Sequence, residues 1–181
     1  LRDSGPIIVT GEDGDRAGVD FAFNAWGEAF SPYRNDAAIS SRILDHLDIE
    51  RFIEPMVLEG GSIAVDGEGL LVTTEQCLLN PNRNPDLDRH TIDAELCRAL
   101  GVERVVWLEK GLVEDADTDG HVDNICAFLE PGRVLLQTVN DRTDPNYEGS
   151  RENVRRLEAA GIEVVEWELL PRITREDGEP V

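Results

Sequence analysis

Asp3, Glu59, His121 and Asp123 are the residues whose types and settings could do chemistry. Each stands among small, turn-forming residues just ahead of an apolar run: Arg2-Asp3-Ser4-Gly5-Pro6, Glu59-Gly60-Gly61-Ser62 and Asp119-Gly120-His121-Val122-Asp123-Asn124. Three carboxylates and one imidazole brought to one point would hold a planar cation such as guanidinium through forked, charge-assisted N–H bonds. The imidazole would serve that cation as a proton shuttle. No nucleophile stands out beside them. Cys77 and Cys97 read as packing residues. Counted along a strand from His121, Cys126 falls an odd number of positions away, turns to the opposite face and belongs to the core.

Taken singly, each group has a plainer reading. Asp3 would be a turn or capping aspartate, Glu59 a surface glutamate before a glycine bulge, and His121 with Asp123 a structural pair. Glu59, His121 and Asp123 as metal donors lack a second histidine at ligand spacing. Trp26 is core by default, with pocket lining as the sharper reading. The loop at 80–85 is expected to build turns or a contact between units rather than to do chemistry.

What could bring these groups together is a repeat. Strands are expected at 6–10, 19–24, 53–57, 61–65, 70–74, 102–108, 122–129, 134–139 and 162–169. Helices are expected from an Asp36 N-cap to about Leu47, with Ile39, Ile43, Leu44 and Leu47 on one face, and at 91–100 and 149–160. His121 and Asp123, two apart on an expected strand, would point the same way. Glu59 and His121 each open a strand, a turn, a strand, an Asn/Pro loop, a helix and a strand, sixty-two positions apart; Asp3 opens a looser copy fifty-six positions earlier. A period of this size marks repeated supersecondary units. If the units close around an axis, equivalent positions converge there.

The 181 residues suffice for one domain with a real core. Against 38 acidic side chains stand 17 basic ones, a net charge of −21. That balance argues against nucleic acid and anionic membranes as partners and fits a cationic ligand steered inward. No apolar run approaches the length of a membrane span. Three cysteines without regular spacing suggest a reducing compartment, hence a cytoplasmic protein. The chain opens on Leu1 in strand-like sequence and stops just after a turn at Asp177-Gly178, where a new strand is expected. It therefore reads as an interior piece of a longer protein.

Six segments carry a family resemblance: Phe-Asn-Ala-Trp-Gly (23–27), Leu-Glu-Gly-Gly-Ser-Ile (58–63), Val-Asp-Gly-Glu-Gly (65–69), Leu-Asn-Pro-Asn-Arg-Asn-Pro (79–85), Thr-Asp-Gly-His-Val-Asp-Asn (118–124) and Asp-Pro-Asn-Tyr-Glu (144–148). The chain resembles the agmatine deiminases and bacterial-type peptidylarginine deiminases of the guanidine-modifying pentein superfamily. The resemblance implies an α/β fold of pentein type, a five-bladed propeller of which residues 1–181 would form about three blades in one partial domain. It implies hydrolysis of agmatine to N-carbamoylputrescine and ammonia through a cysteine-bound intermediate, in polyamine synthesis, without metal or organic cofactor. Asp3 and Asp123 would grip the guanidinium, His121 would be the general acid/base, and Glu59 would orient it. A homo-oligomer is open. So are arginine or peptidylarginine as substrate, transfer to an amine acceptor, and a binder without catalysis. The family's Gly-rich, His-Cys-containing nucleophile segment has no match in this chain. Ala64 stands where many relatives have histidine, and Asp36 stands alone where they have an acidic pair.

Overall fold

The computed structural model describes residues 1–170, and the expected turn at Asp177-Gly178 lies outside them. Three units follow one another. The first comprises β1 (Ile7–Thr10), β2 (Arg16–Ala22), the short α1 (Ala25–Glu28) and α2 (Arg34–Ala37), then α3 (Ile39–Leu47) and β3 (Glu50–Val57). The second has β4 (Ile63–Val65), β5 (Leu70–Thr74), the short α4 (Glu75–Leu78), α5 (Arg89–Leu100) and β6 (Arg104–Leu108). The third has β7 (Cys126–Glu130), β8 (Arg133–Thr138), α6 (Tyr147–Ala159) and β9 (Glu163–Glu168).

Each unit folds into its own three-stranded sheet in sequence order, the first pair antiparallel and the second parallel. The parallel pair requires a crossover, which the helix supplies. The expected α/β architecture and threefold repeat are therefore present.

The middle sheet joins two cores. Leu71 and Trp107 face one side, with Val19, Phe21 and Met56 of the first unit and Ile92 and Leu96 of α5. Leu70, Val72, Val106 and Leu108 face the other, with Val134 and Leu136 of the third unit and Val154 and Leu157 of α6. Alternation along a strand sends neighbours to opposite faces. Because both faces are covered, β5 is buried at every residue and reads as an unbroken apolar and threonine run.

Among the ties between units are bonds from side chain to main chain. Asn84 clasps Val57, accepting from its N–H and donating to its carbonyl, both at 2.9 Å. One repeat later, Asn146 accepts from the Val113 N–H at 2.8 Å. The 80–85 loop thus makes the contact between units expected of it.

Four local expectations differ. Asp36 does not cap a helix; it lies inside α2, and Ala38 precedes α3 without a side-chain cap. On α3, Leu44 is buried but Leu47 stays 54% exposed. The strands expected from Gly61 and Val122 begin only at Ile63 and Cys126, because a single 3₁₀ turn intervenes at Gly60–Ser62 and at Val122–Asn124. His121 and Asp123 are consequently not strand neighbours.

Candidate active site

The two 3₁₀ turns and the loop before β1 meet at one point. Among them lie all four residues expected from the sequence. Nδ1 of His121 is 3.8 Å from Oδ1 of Asp3 and 4.0 Å from Oδ1 of Asp123. Nε2 of His121 is 3.6 Å from Oε2 of Glu59. His121 and Glu59 are buried, at 2% and 0% exposure, whereas the Asp3 and Asp123 side chains are 19% and 25% exposed. The imidazole therefore has a closed side, toward Glu59, and an open side, toward two carboxylates.

Gly61 makes the convergence possible. A Cβ there would lie 2.5 Å from His121 Nδ1 and 2.8 Å from both Asp123 Oδ2 and Asp3 Oδ1. With no side chain in the way, the Gly61 N–H donates to Asp3 Oδ1 at 2.8 Å. The other Asp3 oxygen accepts from the Trp26 indole N–H at 3.0 Å. Trp26 is half-buried, and its indole joins the residues around Asp3.

His121 is held by its backbone. Asp115 accepts from the His121 N–H at 3.0 Å, and also from Thr118 and Asn124. Burial works against the Asp115 charge, but these hydrogen bonds outweigh it and hold its carboxyl below the ordinary range. Just before His121, Gly120 adopts a positive φ of 82°, a conformation that suits glycine. Thr74, at the end of β5, donates to the Gly120 carbonyl at 2.7 Å and so ties the loop to the middle sheet.

Sequence reasoning missed Arg83. Its side chain is fully buried, and its Nε donates to Glu59 Oε1 at 2.7 Å. Burial opposes the Arg83 charge, but the Glu59 carboxylate, Cys77 and the hydrogen bonds to Asp119 and Glu59 raise its proton affinity above the ordinary value. Nothing periodic marks a loop arginine as buried. The available signal was a demand: a glutamate meant for a crowded carboxylate site needs a counter-charge.

Glu59, Cys77 and His121 each offer one donor atom to a common space, all within 4.8 Å of one another, a set zinc-type ions accept. The state of the Cys77 thiol and the pairing of Glu59 do not suit a metal. Burial first, and the Glu59 charge second, push the Cys77 thiol far above its ordinary value, and Arg83 already neutralises Glu59. The same shift disqualifies Cys77 as a nucleophile. So does its place: its Sγ lies 3.8 Å from Glu59 Oε2, on the closed side of the imidazole. Cys126 is buried in the core as expected, and burial pushes its thiol up to about 12. It does so as the first residue of β7, not by parity along a strand from His121.

Arg2 supplies an internal probe of the open side. Its Nε donates to Asp123 Oδ2 at 2.8 Å, so a guanidinium group already sits on one of the two outer carboxylates. Among the described residues, no helix is long and apolar enough to cross a membrane.

The sequence profile of the Porphyromonas-type peptidyl-arginine deiminase family matches residues 1–171. An agmatine deiminase of Medicago truncatula is 48% identical over 164 residues, covering 84% of this chain and 44% of its own. One of Pseudomonas fluorescens strain SBW25 is 50% identical over 152 residues, covering 81% and 41%. The chain thus spans less than half the length of these relatives. Among solved structures, the C. jejuni agmatine deiminase with substrate bound superposes with a TM-score of 0.89 at 31% identity, covering 99% of this chain and 54% of its own. The Enterococcus faecalis agmatine deiminase superposes at 0.88 with 33% identity, covering 98% and 54%.

Proposed function

This chain belongs to the Porphyromonas-type peptidyl-arginine deiminase family, and on that premise we propose that its buried histidine and three carboxylates hold and hydrolyse the guanidinium group of agmatine in the full-length protein. The products are N-carbamoylputrescine and ammonia, which places the reaction in polyamine synthesis. The observation that carries the reading is the gathering of Asp3, Glu59 and Asp123 around His121, each within 4.0 Å. The Arg2 guanidinium on Asp123 supports it, because the substrate presents the same group.

Asp3 and Asp123 share the positive charge of the substrate and fix the plane of its guanidinium carbon. A cysteine thiolate of the full-length protein attacks that carbon, since neither Cys77 nor Cys126 has the required ionisation or position and Cys97 lies on α5 rather than on the turns that carry the site. His121 hands a proton to the departing nitrogen, which leaves as ammonia. It then takes a proton from the water that displaces the sulfur and leaves the ureido product. Glu59 faces Nε2 and stabilises the imidazolium in each protonated stage. The chemistry is one of orientation and charge, and the three units fit a place as three blades of a five-bladed propeller. The acidic balance suits a small cation rather than nucleic acid, and the free thiols suit the cytoplasm.

The test is direct: full-length protein incubated with agmatine, arginine and a peptidyl-arginine, with ureido product and ammonia measured. Turnover of agmatine above the other two is expected. Absence of ureido product from all three sinks the proposal.

A further inference from the structure

Arg83 is a buried cation that no step above uses. An ion pair holding the fold together is its plainest role, yet burial offsets much of what such a pair contributes to stability. Its geometry is more particular. The Nε, not the tip, engages Glu59, and only through Oε1. The tip is committed elsewhere: Nη1 donates to Asp119 Oδ2 and to Asn82 Oδ1, both at 2.7 Å, and Nη2 to the Thr118 carbonyl at 3.1 Å. Asp119 and Thr118 belong to the loop that delivers His121. The guanidinium therefore spans from the turn carrying Glu59 to the loop carrying His121. It leaves Glu59 Oε2 unclaimed by Arg83 and facing Nε2 of His121, a buried nitrogen without a hydrogen-bond partner.

We propose that Arg83 is a positioning residue that acts through Glu59, aiming its Oε2 at the closed side of the His121 ring. This deepens the reading above and rests on it. Arg83, Cys77 and His121 are the groups around the Glu59 carboxylate, and among them Arg83 carries the permanent positive charge.

Three variants of the full-length protein test this. Arg83→Met removes charge and fork. Its kcat is expected to fall roughly 10- to 100-fold, the scale seen when a group that orients a working residue is lost. KM should stay within about twofold, because the contacts to substrate are untouched. Arg83→Lys restores the charge but cannot reach both ends, so kcat stays depressed. Asp119→Asn loosens the far anchor and gives a smaller loss in kcat. The ¹⁵N shifts of the His121 ring add a readout that needs no turnover, and Arg83→Met should change them. Wild-type kcat in folded Arg83→Met overturns the proposal, as does a rise in KM alone or an unchanged His121 ring spectrum. If Arg83→Met does not fold, wild-type kcat in both other variants overturns it. Failure of the unaltered protein to act on agmatine sinks the functional reading instead, and the His121 spectra still judge Arg83.

Discussion

The main-chain N–H of Gly61 donates to Oδ1 of Asp3 at 2.8 Å, joining the loop before the first sheet to the turn before the second. The missing side chain is what lets Asp3, Asp123 and His121 share a corner. In Gly61→Ala the new methyl must displace all three. We expect kcat/KM toward agmatine to fall about 100-fold, the cost of roughly ångström-scale misplacement. Stability should drop by only about 1–3 kcal/mol, as for overpacking elsewhere. Steady-state kinetics beside a denaturant melt separates the two effects.

Trp26 should matter for binding more than for chemistry. Trp26→Phe keeps the ring contacts with Phe23 and Phe30 but deletes the N–H that Asp3 Oδ2 accepts. The carboxylate keeps its Gly61 bond and is partly open to water. KM for agmatine should rise about tenfold, near the low end of a hydrogen bond to a charged group, with kcat little changed. A fall in kcat at constant KM would contradict this.

Asp115 governs the loop of His121 and should leave a signature in acid. Its folded carboxyl titrates below its ordinary value of 3.8. The stability it contributes is therefore present above 3.8 and lost as pH falls through the folded value. Asp115→Asn should cost about 1–3 kcal/mol near neutrality. The gap between the two proteins should narrow as urea melts are repeated from pH 5 toward pH 3. A gap that stays constant would assign Asp115 no such role.

The buried thiols should be silent to reagents. Iodoacetamide at pH 8 should modify Cys97, which is partly exposed, and leave Cys77 and Cys126 untouched until the chain unfolds. Both protected thiols are raised in the folded state from an ordinary value of 9.0. Above that pH the unfolded chain sheds protons that the folded chain keeps, so the denaturant midpoint should fall. The fall should be smaller in Cys77→Ala. Peptide mass spectrometry and alkaline melts check both points.

Much of this was legible in the residues. The repeat could be read because equal offsets separated Glu59, His121 and their following strand, loop and helix patterns, and those patterns arise from local backbone preferences. The convergence of Asp3, Glu59 and His121 could be read because those positions are equivalent in the repeat. The 3₁₀ turns were not legible. Ser62 bonds back to the Glu59 carbonyl, and Asp115 captures the His121 N–H from six residues away, so local side-chain bonds that leave no mark on the apolar pattern decide where each strand begins. The face shared by His121 and Asp123 was expected for the wrong reason: a tight turn, not a strand, brings them together. Arg83 was out of reach because its partners, Glu59 and Asp119, are distant in sequence and on different units.

Asn84 and Asn146 each tie one unit to the next. Each sheet keeps its own ladder, while the pose of one sheet against the next is set by shared cores, ion pairs and the amide clasps of Asn84 and Asn146. Aim and robustness are thereby separable: loosening a clasp would let the carboxylates drift out of alignment while every strand stayed paired. Selection on this molecule can retune the alignment of its chemistry through joinery, leaving the building blocks intact.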